Sequence, residues 1–468
     1  MDSIAAIATG SAASAIGIVR ISGEGCFAAC DRVFRPANGR PFGEQAPRKL
    51  VMGEMLDSRG RTVDRGMAVR FPAPHSYTGE DSAEFHCHGS PVVLRELLSA
   101  LFAAGIRQAA PGEFTKRAFL NGRMDLTQAE AVVDLIDAET AAAARNAAAQ
   151  LDGGLRKVLE PVQDALLEIT SRFYAVVDYP DEDIQDINPP EIARAMASAE
   201  AALSRLLDTC RRGQVLKKGV RTAIVGLPNA GKSSLLNALA GYDRCLVTDI
   251  PGTTRDTVEE AVLCGGVLLR LIDTAGLRET EDTVERLGVE RTRKAMEEAE
   301  LILLVRDGSV EVCPENRAHL EAEARLLNQV AQTGKPWLCL ESKCDLTGPY
   351  AFSLGPIGED ASNPAACLCV SSVTGQGLDR LEAAVSALFP AGEPGEAGSL
   401  LTDRRQEDAV RRARDAVCRG RAALSEGLTP DAILTDAEEA LDAIGELTGR
   451  TAREEIVSRI FSRFCVGK

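Results

Sequence analysis

No apolar run in this 468-residue chain approaches the ~20 residues that a bilayer-spanning helix requires. The first residues, Met1-Asp2-Ser3, are not a basic segment followed by an apolar one, so no secretory leader is expected. The 13 cysteines are an odd number, scattered without a C-x-x-C pair. In a long chain without an export signal they read as reduced thiols, which points to the cytosol and argues against a disulfide framework. Positive charge is also in short supply. Lys and Arg number 53 against 69 Asp and Glu, a net charge of −16. That balance excludes a surface that is a nucleic-acid platform throughout, so any RNA contact should be local, weak or shared with a partner. No internal repeat is visible, and no low-complexity tract apart from a Gly/Pro/Glu-rich linker, Pro390 to Gly398. The remaining composition, 45% hydrophobic and 26% charged, is that of an ordinary soluble protein. Its length exceeds what one core supports, and about three domains are expected.

What is present centres on Gly226-Leu227-Pro228-Asn229-Ala230-Gly231-Lys232-Ser233-Ser234. A short apolar run, Thr222 to Val225, reads as a buried strand before it, and Leu235 to Gly241 as a helix after it. Strand, glycine loop and helix form the context that makes G-x-x-x-x-G-K-S a phosphate-binding loop. Backbone N–H groups of the loop and of the helix N-terminus point at phosphates. Lys232 is placed to reach the β/γ oxygens and the Ser233 hydroxyl to ligate magnesium.

Further elements follow in the order a GTPase requires. Gly252-Thr253-Thr254-Arg255-Asp256 can supply a threonine that binds magnesium only with the γ-phosphate in place, which makes it a switch. Leu268 to Ile272 is a strand leading into Asp273-Thr274-Ala275-Gly276, the second phosphate and magnesium element. Leu338 to Leu340 leads into Ser342-Lys343-Cys344-Asp345. Asp345 would accept from guanine N1–H and the 2-amino group, which adenine cannot offer, and Lys343 would pack along the base. The expected nucleotide is therefore GTP. Ser342 departs from the usual asparagine that braces this loop. Ser371-Ser372-Val373, after the apolar Cys367 to Val370, fits the last base-contacting loop. Leu277 stands where Ras-like enzymes carry a water-positioning glutamine. The nearest suitable acid is Glu285, although read alone that residue fits a solvated helix surface better.

The organisation around this segment is α/β plus all-α. Residues 1–120 alternate β-like runs (16–21, 67–71, 83–89) with helical stretches, including Pro91 to Ala104, and form an N-terminal α/β module. Residues 121–218 are helical, with Ala129 to Gln150 alanine-rich and periodic, Leu155 to Val176 at helical spacing, and Pro190 to Arg212 repeating the pattern. Residues 219–388 form the nucleotide-binding segment, and residues 389–468 return to helix. The economical reading is a helical domain interrupted by an inserted α/β domain.

This ordered set resembles the family of tRNA-modification GTPases MnmE, also called TrmE. The likeness extends along nearly the whole chain. It includes Val19-Arg20-Ile21-Ser22-Gly23, Ser76-Tyr77-Thr78-Gly79-Glu80-Asp81, Pro111 to Thr115, Arg117 to Arg123, Asp125 to Ala131 and the end Phe464-Cys465-Val466-Gly467-Lys468. The resemblance implies a folate-binding N-terminal domain, a long-helix domain and an inserted Ras-like P-loop GTPase domain. It implies a cytoplasmic homodimer joined through the N-terminal domains, and a heterotetramer with the flavoprotein MnmG (GidA), which carries the FAD and uses the NADH. Together they install an aminomethyl-type group on carbon 5 of the tRNA wobble uridine. The one-carbon unit comes from 5,10-methylene- or 5-formyl-tetrahydrofolate.

Carried over residue by residue, Arg20, Glu80, Arg123 and Lys468 match the folate site, with Arg123 standing where a lysine can occur. Asn229 matches a potassium ligand, joined by Thr248, Ile250 and Thr253. Ser233 and Thr254 match magnesium ligands. The stretch Thr248-Asp249-Ile250-Pro251-Gly252-Thr253-Thr254 belongs to the GTP site. Glu285 matches the family's catalytic glutamate, which reverses the surface reading above. Cys465 matches a cysteine proposed to act in the modification chemistry. The end Cys465-Val466-Gly467-Lys468 lacks the aliphatic residue of a prenylation box. His86-Cys87-His88 has no second ligand pair and is expected in packing and polar contacts. Cys367 and Cys369 read as strand residues, and Asp178 to Asp186 as a solvated helix-end loop. Two other functions compete. A GTP-gated factor of ribosome assembly without chemistry of its own shares the nucleotide motifs but not the N-terminal motifs or the terminal cysteine. A folate-binding module with a degenerate GTPase domain conflicts with intact Lys232, Ser233, Thr254 and Asp273.

Overall fold

The computed structural model describes residues 2–10, 12–178, 188–242, 260–272, 285–311, 313–347, 363–390, 397–428, 430–462 and 464–467. They divide into two compact units, one of residues 1–133, 150–203 and 409–468, the other of residues 134–149 and 204–408.

The first unit contains a seven-stranded sheet. Strands β1 (Ile4–Ile7), β2 (Ser14–Ser22), β3 (Phe34–Pro36), β4 (Val51–Leu56), β5 (Thr62–Phe71), β6 (Ser82–Gly89) and β7 (Arg107–Gln108) lie in the order β3-β4-β5-β6-β2-β1-β7. Neighbours are antiparallel except β1 and β7. Period-two alternation turns Val19 and Ile21 of β2, with Ala83, Phe85 and Cys87 of β6, into a core against Leu94, Leu97 and Leu101 of the helix Pro91–Ala103. That helix opens on Pro91, whose missing N–H would have been unbonded in the first turn anyway. The same register sets Arg20 opposite Glu84. His88 at the end of β6 meets Asp64, Nδ1 to Oδ1 at 2.9 Å.

The long helix Gly154–Asp178 buries Leu155, Leu159, Val162, Leu166, Ile169 and Phe173, a spacing of four and three residues that keeps one seam inward. Each such side chain contributes about 1.5–3 kcal/mol on burial. The periodic stretch from Ala129 to Gln150 is two helices, Leu126–Ile136 and Ala141–Leu151. The division has a local cause. Thr140 Oγ1 accepts the Ala143 N–H at 3.0 Å, so Thr140 caps a new helix and does not continue the old one. Asp125 and Gln128 close the start of Leu126–Ile136 reciprocally. Asp125 Oδ1 accepts the Gln128 N–H at 2.9 Å, and Gln128 Oε1 accepts the Asp125 N–H at 2.9 Å. Pro190 to Arg212 is likewise split, into Pro189–Asp208 and Cys210–Lys218.

The far end of the chain comes back to the first hundred or so residues. After the helix Glu454–Phe461, Phe461 and Phe464 pack with Phe119, Leu126 and Val457. Val466 bridges antiparallel to Pro111, and the Gly112 N–H donates to the Cys465 carbonyl at 3.3 Å. A Cβ at Gly112 would stand 2.6 Å from the Phe461 carbonyl oxygen, and its φ is +65°, so only glycine fits this crossing.

The second unit holds a six-stranded sheet of β8 (Val220–Val225), β9 (Glu260–Cys264), β10 (Val267–Leu271), β11 (Leu301–Asp307), β12 (Trp337–Ser342) and β13 (Ala366–Cys369), in the order β13-β12-β11-β8-β10-β9. All pairs are parallel except the β9–β10 hairpin. The central strands are buried almost continuously, as two-sided parallel strands must be. The order of connection reverses at β8, with β10 on one side and β11 on the other, and ligands of such sheets sit beyond the carboxyl ends of the strands at that switch point. Residues 134–149, 204–218 and 397–408 group with this sheet. Lys217 Nζ lies 2.7 Å from Asp134, Thr402 Oγ1 donates to Asp134 at 3.0 Å, and the Gly398 N–H donates to Asn146 Oδ1 at 2.9 Å.

Candidate functional site

At the carboxyl end of β8 the backbone turns sharply. A Cβ at Gly226 would lie 2.3 Å from the Val305 carbonyl oxygen of β11, so the loop can leave the sheet here only as glycine. Asn229 (φ +60°) and Gly231 (φ +92°) are left-handed, a conformation asparagine tolerates better than most residues. Left-handed residues in such a loop gather successive N–H groups into an anion-binding concavity. The helix Lys232–Tyr242 starts immediately, adding its unbonded N–H groups. Lys232 Nζ donates to the Gly226 and Leu227 carbonyls at 2.9 and 2.8 Å. Burial holds its ammonium below the usual lysine range, and a phosphate beside it would favour the charged form. Ser233 and Ser234 are exposed in the first turn.

The loop that closes β12 lies against this one. Ser342 ends β12, is 3% exposed, and its Oγ donates to the Ala230 carbonyl at 2.6 Å. The departure from asparagine therefore still ties the two loops together. Lys343 is left-handed (φ +59°) and its Nζ lies 2.6 Å from Asp307 Oδ2. Burial alone would raise the Asp307 carboxyl, but hydrogen bonds from Lys343 and Ser309 hold it low. Asp345 Oδ1 accepts from the Ser371 hydroxyl at 2.7 Å, and Ser371 Oγ accepts the Thr374 N–H at 3.2 Å. The Cys344 N–H donates to the Val370 carbonyl at 3.3 Å. Ser372 is half-buried and Val373 exposed beside them. Residues 229–234, 342–345 and 371–373 are thus gathered at one edge of one sheet. Asp307 was not singled out from sequence. The available signal was an apolar strand, Leu301 to Val305, closing on an aspartate at the carboxyl edge where ligands sit.

Thr248, Asp249, Ile250, Pro251, Gly252, Thr253 and Thr254 lie outside the described residues, as do Asp273, Thr274, Ala275, Gly276 and Lys468. Glu285 is described in its backbone only, as the first residue of the helix Glu285–Glu298.

A second cluster forms in the first unit. Arg20 Nε donates to Glu84 at 2.9 Å, and its guanidinium lies 5.5 Å from the Tyr77 ring centre and 5.9 Å from that of Phe114. Glu80 accepts from the Ser22 hydroxyl at 2.9 Å and from Arg117 at 3.0 Å. Asn121 Nδ2 donates to the Thr78 carbonyl at 2.7 Å, and a Cβ at Gly79 would stand 3.3 Å from Cγ of Arg123. The loop 76–81 therefore sets Gly79 against the stem of Arg123 and Glu80 against Ser22 and Arg117, with Arg20 beside the Tyr77 ring. Cys465 is exposed, on the segment that crosses Gly112. Arg117, whose side chain is 4% exposed, binds Asp2, Glu80 and Glu113, and it orients the carboxylate that sequence reading had taken alone. Its place in the Arg117-to-Arg123 run was the signal for it.

Comparison with known proteins bears on the whole chain. The MnmE helical domain matches residues 126–465, and the N-terminus of the GTP-binding protein TrmE matches residues 3–123. The tRNA modification GTPase MnmE of Symbiobacterium thermophilum is 43% identical over 467 residues, covering 100% of this chain and 99% of that protein. The protein of the same name from Roseiflexus sp. is 42% identical over 469 residues, with the same coverage. A solved GTP-binding protein of Sulfolobus solfataricus shares 16% identity over 49% of this chain and 66% of its own, at a TM-score of 0.25, too slight a likeness to build on. On two domain matches that together span nearly its full length, and on relatives alike from end to end, this chain belongs to the MnmE family of tRNA-modification GTPases.

Proposed function

We propose that this chain hydrolyses GTP, with potassium as activator, and couples hydrolysis to modification of carbon 5 of the tRNA wobble uridine. It does so as a cytoplasmic homodimer joined through the N-terminal modules and bound to the flavoprotein MnmG (GidA). The observation that carries the reading is the Ser342–Ala230 contact, which places a base-reading loop against a phosphate loop in a chain of this family.

The residues fit the groups the reading needs. Lys232 and the N–H groups from Asn229 to Ser234 hold the β- and γ-phosphates, and Asp345, oriented by Ser371, reads guanine. The Ser233 hydroxyl and Thr254 hold magnesium, which when bound neutralises charge on the β/γ-phosphates. Asn229 offers a neutral oxygen on an exposed left-handed turn, the kind of donor a monovalent cation takes, with Thr248, Ile250 and Thr253 completing the set. Potassium bound there supplies positive charge where other GTPases insert an arginine finger. Glu285 orients the attacking water in place of the glutamine that Leu277 replaces. In the first unit, Arg20, Glu80 and Arg123, joined by Lys468, would offer both donors and acceptors to a pterin-like ring, and the exposed Tyr77 offers a flat face. A 5,10-methylene- or 5-formyl-tetrahydrofolate bound there supplies the one-carbon unit, with FAD and NADH on the partner. Cys465 acts in the same modification step.

The test is nucleoside analysis of tRNA from a strain lacking this chain. Aminomethyl and carboxymethylaminomethyl wobble uridines should disappear, return with the wild-type chain, and stay absent with Glu285→Ala. Unaltered nucleosides would overturn the reading in favour of a GTP-gated assembly factor. Hydrolysis should be much faster in potassium than in sodium at equal ionic strength, and equal rates would remove the cation from the mechanism.

A further inference from the structure

We propose that a cavity of about 610 Å³ in the first unit binds a nucleotide segment of tRNA, phosphate and base together. This rests on the tRNA reading above and names the surface that the RNA touches. The cavity lies between the end of the helix Glu113–Leu120, the turn that follows it, and the start of Glu454–Phe461. Its volume falls in the range of nucleotide-sized pockets.

Four cations line it: Lys116, Arg123, Arg156 and Arg450. In a chain of net charge −16, such a concentration is not what the average surface provides. Lys116, Arg123 and Arg450 have no ion pair among the described residues. Arg156 lies 3.7 Å from Glu160 with both side chains more than half exposed, a screened pair that leaves its guanidinium available. Arginine forks match phosphate oxygens bidentately.

Two further features select a nucleotide over a bare polyanion. The wall includes Phe119, Met124 and Val457, apolar surface on which a base can lie. It also includes two carboxylates, Asp125 and Glu454, of which Glu454 repels a pure anion but can accept from the N–H edge of a base. Asp125 Oδ1 is committed to capping its helix, while Oδ2 is buried with no hydrogen-bond partner among the described residues. The shape is fixed in advance. Gln128 Nε2 donates to the Leu151 carbonyl at 2.7 Å, and Gly449, where a Cβ would stand 2.6 Å from the Phe119 ring, lets that ring approach the turn closely. Arg20 and Glu80 do not line the cavity, so it is separate from the cluster at Tyr77 and shares only Arg123 with it.

The experiment measures binding of unmodified tRNA to the full chain by fluorescence anisotropy from about 50 to 200 mM salt, the range over which phosphate contacts weaken. Arg156→Gln with Arg450→Gln should lower affinity by about tenfold and flatten the log–log salt slope by about one to two, leaving GTP hydrolysis and thermal midpoint unchanged. Oligouridylate should compete for the site and tripolyphosphate should not. Wild-type affinity and slope in the double variant, a wild-type chain that binds no tRNA, or competition by tripolyphosphate alone would each overturn the proposal. If the cavity variant loses tRNA while the deletion strain keeps its wobble nucleosides, the RNA site stands and the modification reading falls.

Discussion

Replacing Ser342 by alanine tests whether the two nucleotide loops act as one body. The hydroxyl is 3% exposed and donates to the Ala230 carbonyl at 2.6 Å. Its loss leaves a buried acceptor without that donor, a penalty of about 1–3 kcal/mol. In the proposed site the bond joins loops at opposite ends of one nucleotide, so the cost divides between folding and binding. With half of it on binding, dissociation constants rise about two- to twelvefold, since 1.4 kcal/mol is tenfold. In the proposed site Ala230 belongs to the part of the loop that would hold the β-phosphate, which GDP and GTP share, so both should weaken by the same factor. Fluorescent GDP and GTP analogues titrated against wild type and Ser342→Ala, alongside thermal unfolding, give both shares. Dissociation constants within twofold of wild type, with an unchanged unfolding midpoint, would refute the reasoning.

Other outcomes follow from the same contacts. Asp345→Asn should weaken GTP and shift preference toward xanthine nucleotides, whose 2-oxo group pairs with an amide donor, as competition binding would reveal. Arg117→Met removes the cation that Asp2, Glu80 and Glu113 share. It should cost about 3 kcal/mol in denaturant unfolding, because the largely buried Glu80 loses its cation while Asp2 and Glu113 keep Arg107, and a loss under about 1 kcal/mol would contradict that account. Deleting residues 464–468 should abolish wobble modification with GTP hydrolysis nearly intact, whereas loss of hydrolysis would assign the tail another role. For pH, burial would raise Glu113, but Arg107 and Arg117 hold its carboxyl down to about 2, and hydrogen bonds from Arg107 hold Asp2 at about 2. A carboxylate depressed by folding stabilises the native state above its unfolded pKa and loses that contribution as pH falls. The unfolding midpoint should therefore be flat above about pH 5 and decline between about pH 4.5 and 2, and Glu113→Gln should shrink the decline.

The sharp turn after β8 was legible because its backbone demands are local: Gly226, Asn229, Gly231 and Lys232 stand within a few residues of each other. Strands over 16–21 and 83–89 were legible because one covered face imposes alternation, whereas 67–71, which buries the adjacent Ala68 and Val69, was bounded by its prolines. What the sequence did not disclose are pairings across long separations. Arg20 meets Glu84 because β2 and β6 pair in that register, and Arg117 reaches Glu80 from 37 residues away. Neither partnership leaves a periodic trace. The break between residues 136 and 141 was hidden by alanine, which suits helix on both sides, while Thr140 decided the matter through a single side-chain bond. Ser342 looked like a loss of the bracing group, and it braces through a shorter arm.

The bridge between Pro111 and Val466 joins residues 355 positions apart in the chain. A ribosome adding about 5–20 residues per second makes the N-terminal sheet wait roughly 20–70 s for its last strap. During that interval Gly112 lacks the carbonyl it will donate to, and Phe119 lacks the rings of Phe461 and Phe464. The sheet can form its own core at once, but the apolar patch at its edge stays open to chaperones and to neighbouring nascent chains. Synthesis speed over the long middle of the message thus sets how long the first module is vulnerable, and a pause there would be felt as aggregation and not as lost GTP binding.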